Sequence, residues 1–141
     1  MITLEQLRER GAGFLPGYLG VQITGLGERE LRAELSILPH HIAPNGYLHA
    51  GTVITLADTA SGYGCVSQLP KDATGFTTIE LKANFLGTAR DGTIACVAKA
   101  VHVGRTTQLW DAEVIHRETG RKIALFRCTQ LVLYPQAGTG T

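Results

Sequence analysis

The sequence predicts an α+β fold, an antiparallel sheet of about six strands wrapped around one long helix. Three observations predict it. Four long runs of strand-forming residues follow one another between residues 76 and 134, separated by short turns that each contain glycine. A shorter alternating hairpin pattern precedes them, and only one segment, from His49 to about Gln68, carries a helical period of any length. A sheet with one apolar face leaves a single long helix one place to lie, across that face.

The elements follow in chain order. Residues 3–10, TLEQLRER, set Leu4 and Leu7 three apart among charged residues and read as a short amphipathic helix ended by Gly11 and Gly13. Pro16-Gly17 comes next. VQITGL and LRAELSIL then form a hairpin, in which Leu31, Ala33, Leu35 and Ile37 alternate with Arg32, Glu34 and Ser36. PHHIAPNG (39–46) is a loop by composition, with His40 and His41 expected to line an opening. In the helix, Val53, Leu56, Ala57, Ala60 and Gly64 fall within roughly 100° on a helical wheel and form the core stripe. The strands are expected at 76–86, 93–103, 106–118 and 121–134.

Composition bounds the rest. At 141 residues and 44% apolar content the chain is expected to be one domain over 1–141, with 1–13 an N-terminal helix and turn and 135–141 a disordered tail. Thirteen basic against twelve acidic residues, with no basic run, exclude a nucleic-acid partner from the expectation. Cys65, Cys96 and Cys128 are odd in number and flanked by small or apolar residues, as buried free thiols are, which points to the cytoplasm. The first ten residues carry two Glu and two Arg, and the long uncharged stretch that includes His40 to Ala57 is broken by histidines, Pro44, Asn45 and glycines. Neither an export signal nor a membrane span is expected.

Asp58 stands out because it is the only charged residue between Ala50 and Val66. An ionised carboxylate in an apolar-rich helix costs several kcal/mol unless paired or facing a cavity. It lies about 140° from the centre of the core stripe, beside Gly51, Thr55, Ser61 and Gly62, all small. The small side chains there, together with Gly62 and Gly64 in a helix interior, suggest close approach of a backbone or ligand. Simple exposure to water is the alternative reading. The helix start, beside His49, offers unpaired amides from about Ala50 and Gly51 that suit an oxyanion. About 10 Å of helix separates Gly51 from Asp58. One reacting carbon must lie about 3 Å from both attacking group and oxyanion donors, so one helix cannot supply both. Two antiparallel copies can, with two equivalent sites related by a two-fold axis.

The runs HIAPNGYLHAGTVITLADTASGYG, FTTIELKANFLGTARDG and VHVGRTTQLWDAEVIHRETGRKIALFRCT resemble the phenylacetyl-CoA type of hotdog thioesterase, in the 4-hydroxybenzoyl-CoA thioesterase superfamily. The resemblance covers roughly residues 14–134. Its motif is matched by Gly46, His49, Ala50-Gly51 and Asp58, with the acid nine positions after the histidine. The resemblance implies a hotdog fold and hydrolysis of a small, medium or aryl acyl-CoA without metal or other cofactor. Asp58 would act as nucleophile or general base, the Ala50 amide with Gly51 beside it would polarise the carbonyl, and His49 would help position it. Thr78 matches the residue that holds the acid or its water, and Thr77 should point to the other sheet face.

Two positions depart from the family pattern. Ala43 stands where an Asn is frequent, with Asn45 two residues on as a substitute, and Ala-Gly replaces Gly-Gly. Arg105, after Gly104, resembles the phosphate-side position for coenzyme A, with Arg90 and Lys82 as further basic candidates. Tyr47, Leu48, Tyr63 and Phe76 are candidates to line the acyl tunnel. The expected partners are the acyl-CoA and further copies of the chain, a dimer with shared sites that pairs again into a tetramer. A hotdog hydratase or dehydratase using His49 with Asp58 is one alternative, and a non-catalytic acyl-CoA-binding module another. His40, His41 and His49 lie within ten residues, but no standard zinc spacing is present and no metal is expected.

Overall fold

The computed structural model describes residues 1–137. The chain opens with α1 (Leu4–Arg10), whose start is closed by a capping box between Thr3 and Gln6 and whose Leu7 is fully buried. A second short helix, α2 (Leu15–Leu19), follows around Pro16-Gly17, where the sequence reading places no element. Proline is tolerated in the first turn of a helix, where its missing N–H has no acceptor to lose, and Gly20 ends α2 at φ 87°. Strands β1 (Gln22–Gly27) and β2 (Glu30–Ser36) form the expected hairpin.

After a 3-10 turn at Pro39–His41 comes α3 (Ala50–Ser67), followed by β3 (Gly75–Phe85), β4 (Thr93–Val103), β5 (Thr107–His116) and β6 (Lys122–Leu133). The six strands form one sheet in the order β1-β2-β4-β5-β6-β3, every neighbouring pair antiparallel. β3 therefore does not pair with β4, its successor. It crosses to the far edge and joins β6, with a register shift between Thr78 and Glu80. This is the hotdog architecture, one long helix held against an antiparallel sheet.

α3 lies against β2 to β6. Its stripe of Val53, Leu56, Ala57, Ala60 and Gly64 is buried as the periodicity predicts, against Leu31, Leu35, Ile94, Trp110 and Val114 of the sheet. Each large apolar side chain so buried contributes roughly 1.5–3 kcal/mol. Gly64 is glycine because Trp110 fills the space: a Cβ there would lie 2.6 Å from two carbons of the indole ring. At Gly62 a Cβ would meet Phe76 Cζ at 2.9 Å. The close approach read from these two glycines is real, but the chain's own aromatics make it.

His41 corrects another expectation. It is fully buried and lines no opening. Its Nδ1 lies 2.9 Å from the Leu38 amide and its Nε2 2.8 Å from the Leu19 carbonyl, so the amide donates to Nδ1 and Nε2–H donates to the carbonyl. The ring is thus held neutral, its pKa lowered mainly by burial, and ties the 3-10 turn to α2. His40 is exposed. No helix among the described residues is long and apolar enough to cross a membrane. From residue 138 on, the tail expected to be disordered lies outside the described residues.

Candidate active site

Asp58 stands just over two turns into α3, half-buried, on the side away from the helix's core stripe. Thr78 of β3 reaches it across the sheet–helix space, its Oγ1 3.5 Å from Asp58 Oδ1. Thr77, one residue earlier, is exposed and pairs with Leu131 on the other face, as strand alternation requires. The Thr78 hydroxyl donates a much shorter bond, 2.7 Å, to Gln130 Oε1 on β6. Gln130 is fully buried, and its Nε2 lies 3.3 Å from Cys128 Sγ.

Burial pushes the Asp58 carboxyl above the usual carboxylate range, and the Thr78 hydroxyl opposes that shift. The Cys128 thiol is pushed up to about 12, first by burial and then by the Asp58 charge. Ser61, one turn on from Asp58, is buried, and its hydroxyl makes no hydrogen bond of normal geometry, although it lies near enough to the Cys128 thiol to favour the thiolate slightly. Gln130 was not among the residues expected from the sequence. The signal for it is the alternation of β6, which sends Phe126, Cys128, Gln130 and Val132 inward, one polar side chain in an apolar row.

The other candidate residues gather at the start of α3. His49 is the N-cap, and its Nδ1 accepts the Gly51 amide at 2.7 Å. This corrects the reading of two unpaired amides: Gly51's is taken by its own cap. The Thr52 and Val53 amides donate to the His49 carbonyl. Ala50 is exposed, and its amide has no acceptor among the described residues. A Cβ on Gly51 would sit 2.9 Å from His49 Nδ1, so any larger residue here displaces the histidine cap. Asn45 turns back on its own loop, its Oδ1 accepting the Tyr47 amide at 3.1 Å. Asn45, Tyr47, Leu48, His49 and Ala50 line a cavity of about 390 Å³ with Phe85 and Thr88. Arg90 lies 5.9 Å over the Tyr47 ring. Thr88 Oγ1 accepts the Leu48 amide at 3.1 Å and holds the loop over the cavity.

The structure separates the remaining candidates from this end. Lys82 pairs with Arg127 on the sheet face opposite α3 and lines an open hollow of about 640 Å³ with other charged side chains, because the register shift between Thr78 and Glu80 turns it away from Asp58 and the His49 cap of its own chain. That hollow is the larger one, yet none of the helix-borne candidates reaches it. Arg105, after Gly104 in the β4–β5 turn, pairs with Asp72 at 2.9 Å and lies 4.7 Å over the Tyr134 ring, exposed beyond the C-terminal end of α3. Phe76 covers Gly62, and the Tyr63 hydroxyl packs near Gly11, so neither lines the Tyr47 cavity. No cluster of three or more metal-ligating side chains occurs among the described residues.

Two candidate half-sites thus stand on one helix: a carboxylate with its Thr78 contact, and a free amide beside a cavity. Comparisons with known proteins give the chain's family. The family model described as the thioesterase superfamily matches residues 45–124, which span the His49 cap, α3 and most of the sheet. The 1,4-dihydroxy-2-naphthoyl-CoA hydrolase of Escherichia coli (strain K12) is 31% identical over 135 residues, covering 94% of this chain and 96% of that protein. The proofreading thioesterase EntH of Cronobacter turicensis is 30% identical over 135 residues, 94% and 95% of the two chains. Among solved structures, a point mutant of the thioesterase PA1618 of Pseudomonas aeruginosa superposes with a TM-score of 0.89 at 27% identity, over 96% of each chain. A carboxylate and a bare helix amide suit attack on an activated acyl group, and the chain belongs to the thioesterase superfamily as a thioester hydrolase of the hotdog fold.

Proposed function

We propose that the chain hydrolyses acyl-CoA thioesters to free acid and coenzyme A, with an aromatic or small-to-medium acyl group, as one domain acting in a homodimer with shared active sites. The observation that carries this reading is the separation on α3: the half-buried Asp58 lies eight residues, about 12 Å, beyond the unpaired Ala50 amide. In each site Asp58 of one copy faces the α3 start of the other. The Ala50 amide binds the carbonyl oxygen as negative charge develops, while Asp58 delivers the attack, directly or through a water molecule. His49 fixes the first turn by holding the Gly51 amide.

The exposed edge of β3 supports the pairing. β3 ends the sheet, and Ile79, Leu81 and Phe85 on it are 57%, 39% and 46% exposed. An apolar unpaired edge is a ready template for a second strand. Dimers of this kind pair further into tetramers. The E. coli relative's name, a hydrolase of an aryl-CoA, supports an aromatic acyl group seated near Tyr47 and Phe85. Arg90 and Arg105 supply positive charge for the coenzyme A phosphates, Arg105 on exchanging Asp72 for phosphate. Three free buried thiols support a cytoplasmic setting. The test is Asp58→Asn with benzoyl- and hexanoyl-CoA: thiol release should fall by about 10²–10⁴-fold while binding persists. Undiminished hydrolysis would remove Asp58 from the chemistry.

A further inference from the structure

The Thr78 hydroxyl has one proton and two acceptors that compete for it. Gln130 Oε1 stands 2.7 Å away and Asp58 Oδ1 3.5 Å away. Hydroxyl hydrogen bonds cluster near 2.7–2.8 Å and weaken quickly beyond about 3 Å, so the proton lies toward Gln130. We infer that Gln130 is a positioning residue for the reaction: by taking the Thr78 proton it keeps the Asp58 carboxylate without a strong hydrogen bond, and so keeps it basic enough to deliver the attack. The inference rests on the proposed role of Asp58.

Three features support it. Gln130 is directly opposite Thr78 in the β3–β6 register and opposite Gln108 in the β5–β6 register, so the three polar side chains form one row across an apolar face. A buried amide is costly unless it is hydrogen-bonded, and the neighbouring inward positions of β6 are the ordinary core residues Cys128 and Val132. Gln108 is itself fixed, its Oε1 accepting from Trp110 Nε1 at 2.8 Å and its Nε2 donating to the Gln68 carbonyl at 3.3 Å. The groups around Asp58 leave the effect readable. The titratable side chain facing it from β6 is Cys128, pushed up to about 12 and therefore a neutral thiol throughout the working range, and Cys65 beside it on α3 is also raised to about 12. From β3 it is faced by Thr78, while Glu80 and Lys82 stand on the other sheet face beside Thr129 and Arg127. Burial raises the pKa of the Asp58 carboxyl and the Thr78 hydroxyl opposes it.

Gln130→Leu and Gln130→Met remove the competing acceptor and leave an apolar side chain of similar size. The Thr78 hydroxyl is then free to donate its hydrogen bond to Asp58. With the thioester that the wild-type protein turns over fastest, the acid limb of kcat/KM against pH should move down by roughly 0.5–1 unit. kcat should fall about 2- to 5-fold as the carboxylate becomes a weaker base, with little change in KM. In a Thr78→Val background the Gln130 substitution should leave the limb where Thr78→Val alone puts it, because the effect acts through the hydroxyl. A limb that is unmoved or raised, a shift that persists in the Thr78→Val background, or failure of both Gln130 variants to fold would overturn the inference. Activity surviving in Asp58→Asn sinks the role of Asp58 instead, which keeps the two failures distinct.

Discussion

Replacing Gly51 with alanine tests whether the helix start serves chemistry or only folding. In Gly51→Ala the new Cβ lies 2.9 Å from His49 Nδ1 and 3.1 Å from Cε1, where ordinary contact is 3.4–4 Å. The imidazole must swing aside and give up the 2.7 Å bond it accepts from the Gly51 amide. Losing an N-cap of this kind costs about 1 kcal/mol. Alanine in place of glycine returns up to about 1 kcal/mol of helix propensity. His49 is exposed, so no core side chain has to move. The two contributions nearly cancel, and the midpoint of thermal unfolding should shift by no more than about 2–4 °C. Activity should not be spared, because the turn that presents the Ala50 amide loses its clamp. Complete loss of one oxyanion donor costs about 10²–10³ in kcat. A donor that is loosened and still present should cost about 10- to 100-fold in kcat/KM. Thermal melts by circular dichroism and thiol release from an aryl-CoA read the two effects separately. A loss of stability above about 2 kcal/mol would make Gly51 a folding residue, and an unchanged kcat/KM at unchanged stability would place the chemistry elsewhere.

Gly64→Ala should behave oppositely: its Cβ would enter the Trp110 ring at 2.6 Å, and Trp110 is fully buried and pinned through Nε1 to Gln108. Overpacking of this kind costs about 1–3 kcal/mol, more than propensity returns, and a urea melt as stable as wild type would refute the packing. Asp58→Asn should stabilise the fold in a pH-dependent way. Because the folded-state pKa of Asp58 is raised, the folded protein holds that proton more tightly than the unfolded chain does, and the wild type loses the corresponding stability as pH rises from the ordinary value of 3.8 through the folded value. The variant should therefore match the wild type below that window and exceed it above, as denaturant melts at several pH values would reveal; a gap largest at low pH would reverse the sign and refute the burial of the charge.

The periodicities carried most of the architecture. The alternating run at 93–103 coincides with β4, and the wheel stripe on α3 is the buried one, because both patterns record which side faces the core. Strand order is not written in such patterns. That β3 crosses to β6 depends on where α3 delivers the chain, a matter of three-dimensional closure. α2 was hidden because Pro16-Gly17 is equally at home in a turn and in a helix's first turn. His41 misled for a similar reason: a histidine in a loop reads as accessible, and only the nearness of Leu19, 22 residues away, makes it a buried tie. Around the acid, Asp58 stands out as the one charged residue between Ala50 and Val66, while Thr78 came from the family resemblance, strand parity only favouring it over Thr77. Gln130 was legible in principle, as the polar exception in an inward row, but its meaning lies in its distance to Thr78. Lys82 could be misplaced because its facing follows from the register shift after Thr78, which no local pattern announces.

The pairing of β3 with the last strand also bears on synthesis. While a ribosome is still making residues 86–121, β3 and the completed α3 above it have no neighbour on the sheet's far side, and only when β6 emerges can that edge zip up. Newly made chains therefore hold an apolar strand open until residues 122–133 have emerged, a window in which chaperones, or a neighbouring nascent copy, would meet it first.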